Sequence, residues 1–157
     1  MREILFRGKR IDNGEWVEGF LLKECNYATC SWNLAIEYKT DRFGKFAYGV
    51  AEVVAETVGQ FTGLTDKNGK KIFEGDIVQY SNPDEDIIHG TVAYGNHSCC
   101  GTHEVGFFVE WQKPEFAMCL REDIGFWTNF REIEVIGNIH DNPELLGGEE
   151  DGKTENR

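Results

Sequence analysis

An Asn-Gly pair standing between apolar runs is the strongest short-range hairpin signal, because both residues tolerate the positive φ that a type I′ turn asks of its two central positions. This chain carries the signal twice. "RIDNGEWVEG" (Arg10 to Gly19) and "TDKNGKKIFEGD" (Thr65 to Asp76) each read Asp, then Asn-Gly, then a hydrophobic pair, then Glu-Gly. Apolar runs flank both, "ILF" and "FLL" around the first, "VGQFTGL" and "IVQY" around the second. Two hairpins are predicted, turning at Asn13-Gly14 and at Asn68-Gly69.

Two functional readings of the second copy fail on spacing. Counted from Asp66 as an EF-hand loop, the glycine falls at the fourth position instead of the sixth, and Ile77 occupies the twelfth, where a bidentate Glu is needed. A phosphate loop needs two glycines separated by four residues and followed by Lys-Ser/Thr, whereas "GKKIFEGD" ends in Gly-Asp, which repels phosphate. In "FEGD", Gly75 is expected to permit a tight bend and Asp76 to bind backbone N–H groups as the next strand begins; this outweighs reading Glu74 and Asp76 as a carboxylate pair on one strand face.

Beyond Asp76 the chain continues in short β-like runs. "IVQY", "IIHGTVAYG" and "GFFVEW" read as strands, and "SNPDED" as a polar loop. Phe116, Leu120 and Ile124 recur every four residues after Pro114, which suits one short helix limited by Gly125. "FREIEVIGNI" reads as a last strand, with Ile133 and Val135 on one side. Residues 25–54 fit strand or short helix and are taken as strands. The expected fold is mainly β: a small antiparallel barrel-like or two-subsheet fold with one or two short helices. A single domain is expected over 1–146, with room for two subdomains meeting near 50–60, and a disordered acidic tail over 147–157.

The formal net charge is −12, of which the tail supplies −2, four carboxylates against two cations. A body at −10 repels the nucleic-acid backbone, so general nucleic-acid binding is disfavoured and only a local basic patch could act. No apolar run is long enough for a signal peptide or a membrane span, so a soluble protein of the cytoplasm with no membrane contact is expected. Five cysteines, an odd number without an export signal, read as free thiols.

Three stretches together resemble a known family. "ETVGQFTGLTDKNGKKIFEGDIV" (Glu56 to Val78), "EVIGNIHDNPELL" (Glu134 to Leu146) and the opening "MREILFRGKR" are similar to the YopX family, small phage and prophage proteins whose molecular function is uncharacterised. The resemblance runs from start to end of the chain as far as Leu146. It implies a mainly β fold, a phage or prophage origin and room for a homo-oligomer, and it implies no activity, cofactor or catalytic residue.

Two clusters compete as sites. His97, Cys99, Cys100 and His103 offer soft ligands suited to zinc. Their compression into one loop with adjacent cysteines departs from paired-ligand spacing, so a polar hairpin loop is the preferred reading, with neither metal nor cofactor. Arg7, Lys9, Arg10, Lys67, Lys70 and Lys71 would form one basic face if the two hairpins lay side by side. Solubilising exposed strand edges is the simpler role. The four tryptophans read as core or interface anchors. No Cys or Ser with a matching His and acid forms a recognisable catalytic set.

The expectation is therefore a non-catalytic phage or prophage accessory protein in the cytoplasm of the host bacterial cell. It would act by contact with a phage or host protein, and as a homo-oligomer. A nucleic-acid-associated regulator using the local basic face is the first alternative, and a small metal-dependent hydrolase at the His/Cys loop the second.

Overall fold

The computed structural model describes residues 3–26, 31–42, 45–81, 87–99, 102–112, 123–130 and 132–147. The chain divides into two compact units at the Gly75–Asp76 peptide. The junction anticipated near 50–60 falls inside the first unit, because the strand Gly59–Thr65 pairs with the strand Phe6–Lys9. Apart from Gly147, the expected acidic tail lies outside the described residues.

The first unit is one antiparallel sheet of β1 (Phe6–Lys9), β2 (Trp16–Asn26), β3 (Ser31–Arg42), β4 (Lys45–Glu52), β5 (Gly59–Thr65) and β6 (Lys71–Phe73), in the order β4-β3-β2-β1-β5-β6. Strand alternation sorts its side chains. Val17, Ile36, Ala51 and Val53 form a buried cluster on one face, with Phe6, Leu21, Leu34, Tyr38 and Val58 packed against it. The sheet curls around this cluster. Val53 forms an antiparallel bridge to Arg10, Ile11 N donates to Glu52 O at 3.0 Å and Val54 N to Lys9 O at 2.8 Å. The chain after β4 thus returns to the end of β1 without closing a barrel. Gly19 permits the curl: there β2 changes partner, from β1 (Phe6 opposite Gly19) to β3 (Phe20 opposite Glu37). A Cβ on Gly19 would lie 1.9 Å from the Glu37 carbonyl oxygen.

Both predicted hairpins are present, β1–β2 and β5–β6. Their turns are not type I′. Gly14 and Gly69 have φ of 71° and 80°, while neither Asn13 nor Asn68 has positive φ. Side-chain bonding decides this. Asp66 Oδ1 accepts the amides of Asn68 (2.8 Å) and Lys70 (2.9 Å), and Gly69 N donates to Asp66 O. A right-handed turn is held before the glycine, which alone takes the left-handed position. Asn13 Oδ1 similarly accepts the Glu15 amide at 3.0 Å.

The two Glu-Gly copies then diverge. Glu18-Gly19 lies within β2, whereas Glu74-Gly75 is a turn in which Gly75 has φ of 80°. Glu74 and Asp76 are therefore not alternate positions of one strand. Asp76 opens β7, is 1% exposed, and sits opposite Asn138.

The second unit orders β7 (Asp76–Tyr80), β8 (Ile88–Cys99), β9 (Thr102–Trp111) and β10 (Glu134–Asn138) as β10-β7-β8-β9. Residues 113–122, part of the predicted helix, lie outside the described residues. The described helix, α1 (Ile124–Phe130), contains Gly125 instead of ending there. Asp123 Oδ1 accepts the Gly125 amide at 2.7 Å, satisfying a donor of the first turn. From this helix Trp127, fully buried, meets Trp111 and Tyr80 edge-on at centroid distances of 4.6 and 5.4 Å. His89 Nδ1 lies 2.9 Å from Leu145 O and ties the 3-10 turn Pro143–Leu146 to β8.

Candidate functional site

In the first unit, the face turned away from the aliphatic cluster holds the chemistry. Alternation places Arg7, Lys9, Trp16, Glu18, Phe20, Glu37, Lys39, Tyr48 and Val50 on it, and the register lines them up across strands. Arg7 stands opposite Glu18, Phe20 opposite Glu37, Glu37 opposite Val50, and Lys39 opposite Tyr48. At the β1–β5–β6 end it is partly sealed by Leu5, Phe61 and Phe73.

The basic candidates fall on or beside this face, and most are engaged. The Arg7 guanidinium sits 5.0 Å from the Trp16 ring centroid and 4.9 Å from that of Phe73, with Nη2 donating to Glu74 O. Lys9 Nζ lies 6.0 Å from the Trp16 ring. Lys71 Nζ pairs with Glu18 Oε2 at 3.2 Å and lies 5.7 Å from the Phe61 ring. Arg10 grips Asp12 through two nitrogens at 2.9 and 2.6 Å, and this hydrogen bonding holds the Asp12 carboxyl below its ordinary range while raising the guanidinium. Lys67 and Lys70 are exposed in the β5–β6 turn. Arg7, Lys9 and Lys71 do share a face, but rings and carboxylates are threaded between them.

Where β2 bends at Gly19, the face opens into a groove of about 250 Å³ lined by Leu5, Phe20, Tyr48, Glu3, Glu37 and Lys39 among others. Phe20, Tyr48 and Val50 are 51%, 63% and 54% exposed. Their alternation was legible in the sequence; their position on the outer face required knowing which parity faces the core.

Of the four metal candidates, the two histidines do not converge. His97 stands opposite Glu104, while His103 stands opposite Ser98, so the two histidines project from opposite faces of the β8–β9 hairpin. His97 is buried and stacks on Phe108 at 5.0 Å; His103 is exposed. Cys100 and the side chain of Cys99 lie outside the described residues. Among the described residues no three His, Cys, Asp or Glu side chains are placed to hold a metal ion. Of the tryptophans, Trp111 and Trp127 are core, whereas Trp32 is 62% exposed beneath Lys23.

A family model described as YopX protein matches residues 5–147. The chain belongs to the YopX family. Among solved structures, the crystal structure of protein EF1440 from Enterococcus faecalis is similar to this YopX-family chain at 26% identity and a TM-score of 0.53, covering 93% of this chain and 99% of that one. Among curated proteins none matches. In this YopX-family chain no helix among the described residues is long and apolar enough to cross a membrane.

Proposed function

We propose that this YopX-family chain is a phage or prophage accessory protein that works in the host cytoplasm by binding protein through the outer face of its N-terminal sheet. The observation carrying the reading is that Phe20, Tyr48 and Val50, each more than half exposed, share one face, Tyr48 and Val50 as neighbours on β4 and Phe20 in line with Val50 across Glu37. Large apolar groups grouped on one face and rimmed by charge mark contact surfaces, since each gains about 1.5–3 kcal/mol when water is removed from it. The rim is mixed in sign, with Glu18, Glu37, Lys39 and Lys71 around the groove. Such a rim suits orientation of a protein better than attraction of a polyanion.

The test is retention of a partner from host lysate by the native chain and by Phe20→Ser/Tyr48→Ser/Val50→Ser. The native chain is expected to retain a partner that the triple variant loses, with far-UV circular dichroism unchanged. Equal retention by both would refute the reading.

A further inference from the structure

Four strands are sheet edges, and three of them carry protection. β6 has only three residues. β10 has five and a register shift between Val135 and Gly137. β9 is bridged at Phe108 by Asp123. Short length, bulges and covering segments are the usual defences of an edge against unwanted strand pairing. β4 is covered only at its last residue, where Ile11 N bonds Glu52 O; over Lys45–Val50 it runs in unbroken register with β3, and among the described residues no strand lies on its other side.

The parity of its hydrogen bonds is fixed. Val53 N donates to Leu34 O, so odd residues face β3 and even residues face outward; Glu52 O, which accepts from Ile11 N, obeys this rule. Tyr48 and Val50 therefore present peptide N–H and C=O groups to the open side, and they are also the exposed apolar side chains of the outer face. Gly49 between them lies under the Tyr38 ring, where a Cβ would come within 2.7 Å.

We propose that β4 pairs with β4 of a second copy of this chain, antiparallel about a two-fold axis at Gly49, joining two six-stranded sheets edge to edge. This rests on reading the outer face as a contact surface and names its occupant. The match is self-complementary. Outward positions must meet outward positions, so Tyr48 stands opposite Val50 of the second copy and Val50 opposite its Tyr48, an aromatic on a β-branched residue twice over. Each pair is flanked on its own β3 by Glu37 on one side and by Lys39 of the second copy on the other, so no like charges oppose one another. Phe20 stands two strands further in each copy, in line with Val50 and beyond Glu37.

The experiment is sedimentation equilibrium of the full chain up to roughly 100 µM, a range that populates even a contact at the small end of interface sizes. The native chain is expected at twice its 17.9 kDa mass. Val50→Pro removes an outward N–H and no ladder bond, so it leaves the fold intact while weakening association by about tenfold or more. Tyr48→Lys/Val50→Lys keeps every backbone group, guards against misfolding of the proline variant, and is expected to be monomeric. A monomeric native chain overturns the pairing while leaving the lysate test of the face to stand or fall alone. A dimer that survives both edge variants but is lost in Phe20→Asp also overturns it, because the copies would then meet face to face.

Discussion

The two sheets differ in where their most prominent aromatic residues stand. In the C-terminal unit buried Trp127 packs edge-on against buried Trp111 and Tyr80, so rings sit at the heart of a core completed by aliphatic residues such as Ile77 and Val109. In the N-terminal unit the main buried cluster is aliphatic, and Phe20 and Tyr48 stand exposed on the reverse face. Rings are buried in both units, Phe61 and Phe73 in the first, but there Phe20 and Tyr48 are also held at the surface. An aromatic left in water contributes little to folding, so its placement on an ordered sheet face points to a role after folding.

That contrast can be broken by substitution. Trp127→Ala should have the largest effect, destabilising the C-terminal unit by about 3–5 kcal/mol in chemical denaturation, since it empties the centre of a close-packed cluster. Tyr48→Ala should leave the denaturation midpoint nearly unchanged; equal losses from both would erase the distinction between the units. Second comes Gly19→Ala, expected to cost about 1–3 kcal/mol because its methyl group meets backbone and not a movable side chain. Gly95→Ala, on β8, should be nearly neutral by comparison, as its closest contact would be an ordinary 3.8 Å to the Phe108 ring. Asp66→Ala follows at about 1–2 kcal/mol, for the two amides of the β5–β6 turn that it accepts.

The smallest effect belongs to the Arg10–Asp12 pair. Asp12 has a lowered folded pKa because Arg10 bonds it, so its contribution is present above the ordinary Asp range and fades as pH falls through the lowered folded value. Asp12 is solvent-exposed, and Asp12→Asn should flatten the acid limb of a stability–pH profile only slightly. A large shift would mean that the pair closes the curled sheet instead of decorating it.

Much of this architecture was legible because Asn-Gly, strand alternation and the family segments are local signals. The hairpins, the strands after Asp76 and the two-sheet β fold follow from them. What stayed hidden depends on distant contacts. The turns at Asn13 and Asn68 are right-handed because neighbouring side chains bond the backbone, which the dipeptide alone does not reveal. Glu18-Gly19 and Glu74-Gly75 look alike in sequence, yet one bends a strand against Glu37 and the other turns between strands. The candidate face was half visible. Alternation groups Phe20 with Glu18 and Tyr48 with Val50, but only the register with β3 brings those groups together.

Amide hydrogen exchange resolved to single residues of β4 and β9 tests the central claim most directly. The Tyr48 and Val50 amides, which point away from β3, should exchange quickly in dilute solution and become protected as concentration rises, while the β9 amides do not change. Fast exchange at Tyr48 and Val50 at every concentration, or protection that grows on β9 instead, would contradict the account.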